Sequence, residues 1–181
     1  MKKYGIFVDT ETTGLLAAEL ADIHHQPFIT ELYACKYDKE TFEIVDEVNT
    51  LVSIPVPLSE EIIKITGITE EMLQGKPEFQ DVIPDFIELC EEVDTIGGHN
   101  VMFDYDVIRH NFRRHEVLEH FPEFDYKICT VEMSYPIEKK RLKLSQLYFK
   151  ATGKTHEGAH RAKADVLATF ECYKWLLSEG F

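Results

Sequence analysis

Hydrophobic and polar positions along this chain follow two periods, and the points where one gives way to the other predict the elements. Residues 3–8 (KYGIFV) form a short apolar run of β-formers, while 29–37 (ITELYACKY) and 41–52 (TFEIVDEVNTLV) alternate around turn signals such as Asp38-Lys39; three consecutive strands are predicted. After Pro55 and Pro57, Ser59 opens SEEIIKITG, where a hydroxyl N-cap, acids in the first turn and a glycine stop predict a short helix. Helical spacing returns over 78–92, with Phe79, Val82, Ile83, Phe86, Leu89 and Cys90 on one face, and VDTIGG then predicts a brief strand. A helix over 103–115, a strand near 125–129 (DYKIC) and helices over 144–152 and 162–178 follow. The last of these puts Ala162, Val166, Phe170, Tyr173 and Leu177 on one stripe. The order βββ-α-β-α-β-α predicts an α/β fold, a mixed sheet flanked by helices.

Composition narrows the class. With 181 residues, 44% of them hydrophobic and 12% aromatic, the chain can build one proper core, and no repeat, low-complexity run or Pro/Gly-rich linker divides it. A single domain over 1–181 is expected. The formal charge of −14 excludes a basic protein that coats nucleic acid indiscriminately. The charge is uneven: residues 1–100 carry 6 basic and 21 acidic side chains, residues 101–181 carry 13 and 12, so a grip on a polyanion is expected from the second half. The start MKKYGIFVDTE reaches Asp9 after three apolar positions, too few for a signal segment, so a soluble, cytoplasmic protein without a membrane partner is expected. Cys35, Cys90, Cys129 and Cys172 lie far apart without CxxC spacing and are expected to be reduced core thiols.

Three acidic clusters carry candidate chemistry. Asp9 and Glu11 in FVDTETTG follow an apolar strand, and side chains two apart in a strand share a face about 6.6 Å apart, so both can meet one pair of metal ions. A turn with a capping acid is the plainer reading of such a pair, but the end of a central strand is where open α/β sheets place ligands. Asp104 in GGHNVMFDYDVI opens a helix, with Gly97 and Gly98 leaving room for close backbone approach; alone it, like Asp106, could simply compensate a helix dipole. In HRAKAD, His160 and Asp165 are five apart, about 140° round one helix, so His160 is expected on the preceding loop or first turn, leaning back toward the metal site. An imidazole is a side chain suited to act as a base at neutral pH.

Taken in order, FVDTETTG, HNVMFD and HRAKAD resemble the motifs of the DnaQ-like, or DEDDh, superfamily of 3′→5′ exonucleases, most of all its DNA polymerase III epsilon-type proofreading members. ITGITEEMLQGKPEF and KLSQL resemble segments between those motifs, so the likeness runs from about Ile6 to Leu167. It implies a ribonuclease H-like sheet whose first three strands are antiparallel. It also implies Asp9, Glu11, Asp104 and Asp165 as metal ligands and His160 as general base. Thr12, Thr13 and Leu15, with His99, Asn100 and Phe103 of the second motif, would hold the substrate end. Oxygen ligands without a thiolate favour two Mg²⁺, with Mn²⁺ able to substitute. The implied reaction releases nucleoside 5′-monophosphates from the 3′ end of single-stranded nucleic acid, DNA favoured, with RNA trimming or oligoribonucleotide degradation as alternatives and a DNA polymerase or repair protein as a possible partner.

Other readings compete. His156-Glu157-Gly158-Ala159-His160 matches the HExxH zinc-peptidase string, but Gly153 and Gly158 weaken any helix across it. A binding module with a relic site is a further alternative, opposed by the presence of all five candidate residues. Residues 15–28 are longer and more acidic than a tight turn, a lid, partner surface or solvated hairpin, in which His24-His25 reads as exposed polarity. Lys139, Lys140, Arg141 and Lys143, and separately Arg109 and Arg113, could track phosphates or form a plain solvated face. The short stretch after the last stripe leads to the expectation of no extended polymerase-binding tail.

Overall fold

In the computed structural model, which describes residues 2–18 and 21–181, five strands form one sheet in the order β3-β2-β1-β4-β5. They are β1 (Tyr4–Thr12), β2 (Ile29–Asp38), β3 (Ile44–Leu51), β4 (Val93–Gly98) and β5 (Tyr126–Cys129). The first three pair antiparallel, and β4 then joins β1, and β5 joins β4, in parallel. The expected mixed sheet with an antiparallel start is therefore found. Helices α1 (Glu60–Thr66), α2 (Glu70–Leu73) and α3 (Phe79–Leu89) lie between β3 and β4, and α4 (Met102–Arg114) between β4 and β5. The chain continues through α5 (Thr130–Glu138), α6 (Leu144–Thr152) and α7 (Ala162–Ser178).

The central strand explains how the site is placed. Ile6 and Val8 of β1 point into the larger core with Phe86 of α3 and Val107, Ile108 and Phe112 of α4. Phe7 points the other way, among Tyr37, Ala162, Val166 and Phe170. Both faces of β1 are covered, so its apolar residues run on without polar interruption until Asp9. The strict alternation of a strand then sends Asp9 and Glu11 to the α7 face and Thr10 to the α4 face.

Local signals account for most helix ends. Ser59 accepts a hydrogen bond from Ile62 N–H, and Gly67 closes α1 at φ 69°. Helices α2 and α5 were not anticipated: α2 has four residues, too few for periodicity, and α5 carries Pro136 in its last turn. At the end of β4 a Cβ on Gly97 would stand 2.7 Å from the Phe7 ring and one on Gly98 3.1 Å from Val8 O, so the anticipated close backbone approach is found at Gly98 and side-chain packing at Gly97. Cys35, Cys90 and Cys172 are buried free thiols, each pushed up to about 12 by burial, and Cys129 is half-buried and free. Among the described residues, no helix is long and apolar enough to cross a membrane.

Candidate active site

Three of the four expected ligands converge at the C-terminal end of β1. Carboxylate oxygens of Asp9, Glu11 and Asp165 all lie within 4.8 Å of one another. Asp165 reaches them from the first turns of α7, where its N–H donates to Arg161 O at 3.0 Å. Asp104, in the first turn of α4 and 3% exposed, sits just outside this group; its Oδ1 accepts from the N–H of Thr10 at 2.9 Å and from the Thr10 hydroxyl at 2.8 Å. The residue between Asp9 and Glu11 thus points to the opposite face and pins the fourth acid to the same strand end.

Burial and mutual repulsion dominate the electrostatics. Asp9 is held well above the ordinary carboxylate range, first by burial and then by the charges of Asp104, Asp165, Glu11 and Glu31. Burial followed by Asp165 and Glu31 raises Glu11 to about 8. Burial also raises Asp104 to about 7, against the opposing pull of its Thr10 hydrogen bonds. A set of hard oxygen donors that resists ionising together is the environment a divalent cation relieves.

The partner that holds the cluster together was missed from sequence. Glu31 on β2 stands directly opposite Glu11 across the antiparallel ladder, and it is 3% exposed. Like charges in that position repel. Arg161 answers by gripping Glu31 through Nε at 3.0 Å and Nη2 at 2.7 Å, and Glu31 also accepts the first free N–H of α7, from Ala162, at 3.0 Å. A lone acid inside the apolar run ITELYACKY was the available signal; its partner lies 130 positions away.

The remaining expected residues are arranged as follows. His160 stands exposed on the loop before α7 at φ 65°, and its main-chain N–H donates to Asp165 Oδ2 at 3.1 Å. His160 lines a cleft of about 590 Å³ with His99, Asn100, Arg141, His156 and Asp165. His99 is turned inward as a strut, Nδ1 against the Thr130 hydroxyl at 2.9 Å and Nε2 against Leu142 O at 3.1 Å, and burial lowers its pKa to about 4. Asn100, exposed at φ 70°, accepts from Arg141 at 2.8 Å. Phe103 packs half-buried against the larger core. The Thr12 hydroxyl donates to Gly14 O at 2.7 Å and the Thr13 hydroxyl accepts from Phe28 N–H at 3.0 Å, so both stabilise the turn after β1, while Leu15 projects 85% exposed.

Of the 15–28 segment, residues 19 and 20 lie outside the described residues. The rest is tied to α4: Arg114 donates to Ile23 O, Gln26 O and Pro27 O, and lies over the Phe28 ring at 3.8 Å. Arg109 and Arg113 are exposed on α4. Arg141 and Lys143 line the cleft, and Arg141 also pairs with Glu132 at 2.6 Å. The HExxH string lies on no helix; Gly158 within it takes φ 74°.

Comparison with known proteins gives the family and the fold. The RNase_T family, described as Exonuclease, matches residues 6–173, and the chain belongs to that family. The chain is 34% identical over 175 residues to a DNA polymerase III PolC-type of Pediococcus pentosaceus, covering 96% of this chain and 11% of that protein. It therefore spans about a tenth of the length of such relatives. The nuclease domain of 3′hExo, a DEDDh family member solved with rAMP, superposes with a TM-score of 0.75 at 20% identity, covering 99% of this chain and 94% of that one. E. coli exonuclease I in complex with a dA16 oligonucleotide gives 0.78 at 20% identity, covering 99% of this chain and 42% of that one. These two likenesses concern the fold.

Proposed function

We propose that the chain, as a single exonuclease domain over residues 1–181, removes nucleoside 5′-monophosphates from the 3′ end of single-stranded nucleic acid, with DNA favoured. The observation that carries this reading is the convergence of Asp9, Glu11 and Asp165 within 4.8 Å, beside Asp104, in a member of the exonuclease family. The all-oxygen donor set suits two Mg²⁺, or Mn²⁺ in their place. Such ions supply the positive charge that polarises a scissile phosphate and offsets charge on the departing 3′-oxygen.

The chain's own residues divide the other tasks. Asp9, Glu11, Asp104 and Asp165 hold the ions. His160, at the margin of the cleft, takes the proton of the attacking water at an imidazole nitrogen. Exposed Leu15 packs against the terminal base or sugar, with Thr12, Thr13 and Phe103 shaping that end. Asn100 and the strut of His99 form the approach, with Arg141 and Lys143 beside them for backbone phosphates. The PolC-type relatives, named as DNA polymerase III, support DNA as substrate and a polymerase as partner. A second reading, RNA as substrate, is favoured by the fold's likeness to a 3′-exonuclease solved in recognition of a histone mRNA stem-loop.

The test is incubation of 5′-labelled single-stranded DNA, duplex DNA, RNA and short oligoribonucleotides with Mg²⁺, with and without EDTA. A ladder shortening from the 3′ end, abolished by EDTA and by Asp9→Ala or Asp165→Ala, is expected. Near-normal hydrolysis in either variant overturns the ligand assignment, and faster loss of RNA overturns the DNA preference. An unchanged band with retained binding points instead to a module that binds without cleaving.

A further inference from the structure

The HExxH string leaves one residue without a task, and the structure places it against the site. His156 Nε2 lies 2.5 Å from Asp165 Oδ1, and the side chain is only 5% exposed. Its ring packs against Tyr148 of α6 at 5.5 Å between centroids. The loop that presents it is bounded by Gly153 at φ 71°, which stops α6, and turns again at Gly158 at φ 74°. The same loop supplies the His160 N–H to Asp165 Oδ2 at 3.1 Å, so each oxygen of this carboxylate is held from one short segment. An ionised carboxylate only accepts, so Nε2 carries the proton and donates it.

We propose that His156 is a positioning residue for the metal site, its Nε2–H fixing the rotamer of Asp165 so that the carboxylate faces Asp9 and Glu11. The inference rests on the reading of Asp165 as a metal ligand. Asp165 is the one member of the converging trio that comes from α7 and not from the rigid central strand. A freely rotating Asp165 would spend part of its time turned from the cluster, and the ions would bind that much less often. A carboxylate has lone pairs enough to accept from His156 and still face a cation. Loss of such supporting hydrogen bonds ordinarily weakens metal binding by about 10–100-fold.

The experiment measures Mn²⁺ binding to EDTA-stripped protein by titration calorimetry and by electron paramagnetic resonance of free Mn²⁺, independently of turnover. His156→Ala is expected to weaken Mn²⁺ binding by at least about 10-fold. His156→Gln, which keeps an N–H donor, should recover part of that loss, and saturating Mn²⁺ should restore much of kcat in both. A merely structural role would show neither recovery. Asp165→Ala serves as the reference. If it loses Mn²⁺ while His156→Ala binds like the wild type, the positioning role is overturned and the ligand assignment stands; if Asp165→Ala itself binds normally, the ligand assignment has failed. Should His156→Ala not fold, as judged by circular dichroism, the comparison is made with His156→Gln and His156→Asn, and wild-type affinity in both overturns the proposal.

Discussion

Removing divalent ions and raising the pH should destabilise this protein in a defined window. Glu11 titrates at about 8 in the folded chain against 4.5 for the ordinary group, and Asp104 at about 7 against 3.8. Between those limits the folded state holds protons that the unfolded state has released, so stability falls as pH rises, and the loss is complete above about 8. Each unit of difference corresponds to about 1.4 kcal/mol. Counting Glu11 alone, because the acids of the cluster respond to one another, gives a ceiling of about 4–5 kcal/mol. Water entering the cleft screens part of it, leaving about 2–4 kcal/mol. For a domain of this size that is a fall in Tm of roughly 5–15 °C between pH 5 and pH 8. The assay is calorimetric unfolding of EDTA-treated protein at unit pH steps, with Glu11→Gln as the reference that removes the titrating group. Added Mg²⁺ or Mn²⁺ should flatten the slope by favouring the ionised carboxylates. A wild-type Tm that stays level or rises over the window, parallel to Glu11→Gln, refutes the account of strained acids.

The other expectations are briefer. Glu31→Ala leaves Arg161 and the Ala162 N–H without their acceptor and should cost about 1–3 kcal/mol in chemical denaturation, with a fall in kcat as the start of α7 loosens; unchanged stability would show that the clamp is idle. Glu157 is exposed on a turn, so Glu157→Gln should keep most nuclease turnover; a peptidase activity in the wild type that this change abolishes would reopen the peptidase reading. Changing Lys139, Lys140 and Lys143 together to Ala should weaken single-strand binding and flatten its salt dependence while the rate on a saturating dinucleotide holds; an unaltered salt slope assigns them to plain surface.

The elements were legible where burial follows a simple period. The β1 run was visible because both faces of that strand are covered, and the α7 stripe because Val166 and Phe170 repeat at helical spacing toward Phe7 and Tyr37. Tyr173 is only partly buried and Leu177 is 38% exposed, for the lower half of α7 turns Cys172 and Leu176 toward α6 instead. A single stripe could not express two packing partners. The continuation of β1 to Thr12 escaped the period because its last residues are polar, chosen for what they face at the strand end. Helix α5 escaped because Pro136 reads as a stop, although in a last turn it breaks little.

The site shows a sharper division between what spacing reveals and what only folding brings together. Asp9 and Glu11 were readable as a pair because a strand fixes their common face, and Asp165 because HRAKAD resembles the last motif of the exonuclease family. What makes those acids tolerable lies elsewhere in the chain: Thr10 beneath Asp104, Arg161 on Glu31, His156 on Asp165. Each depends on register or on a loop path, which no local period encodes. The same partners explain how an acidic chain of charge −14 can serve a polyanion. Arg161 is committed to Glu31 and leaves Asp9, Glu11, Asp104 and Asp165 to repel a phosphate unless divalent charge stands between them. Arg141 and Lys143 line the cleft that Asp165 also lines, so on the proposed reading strand affinity should rise with ion occupancy.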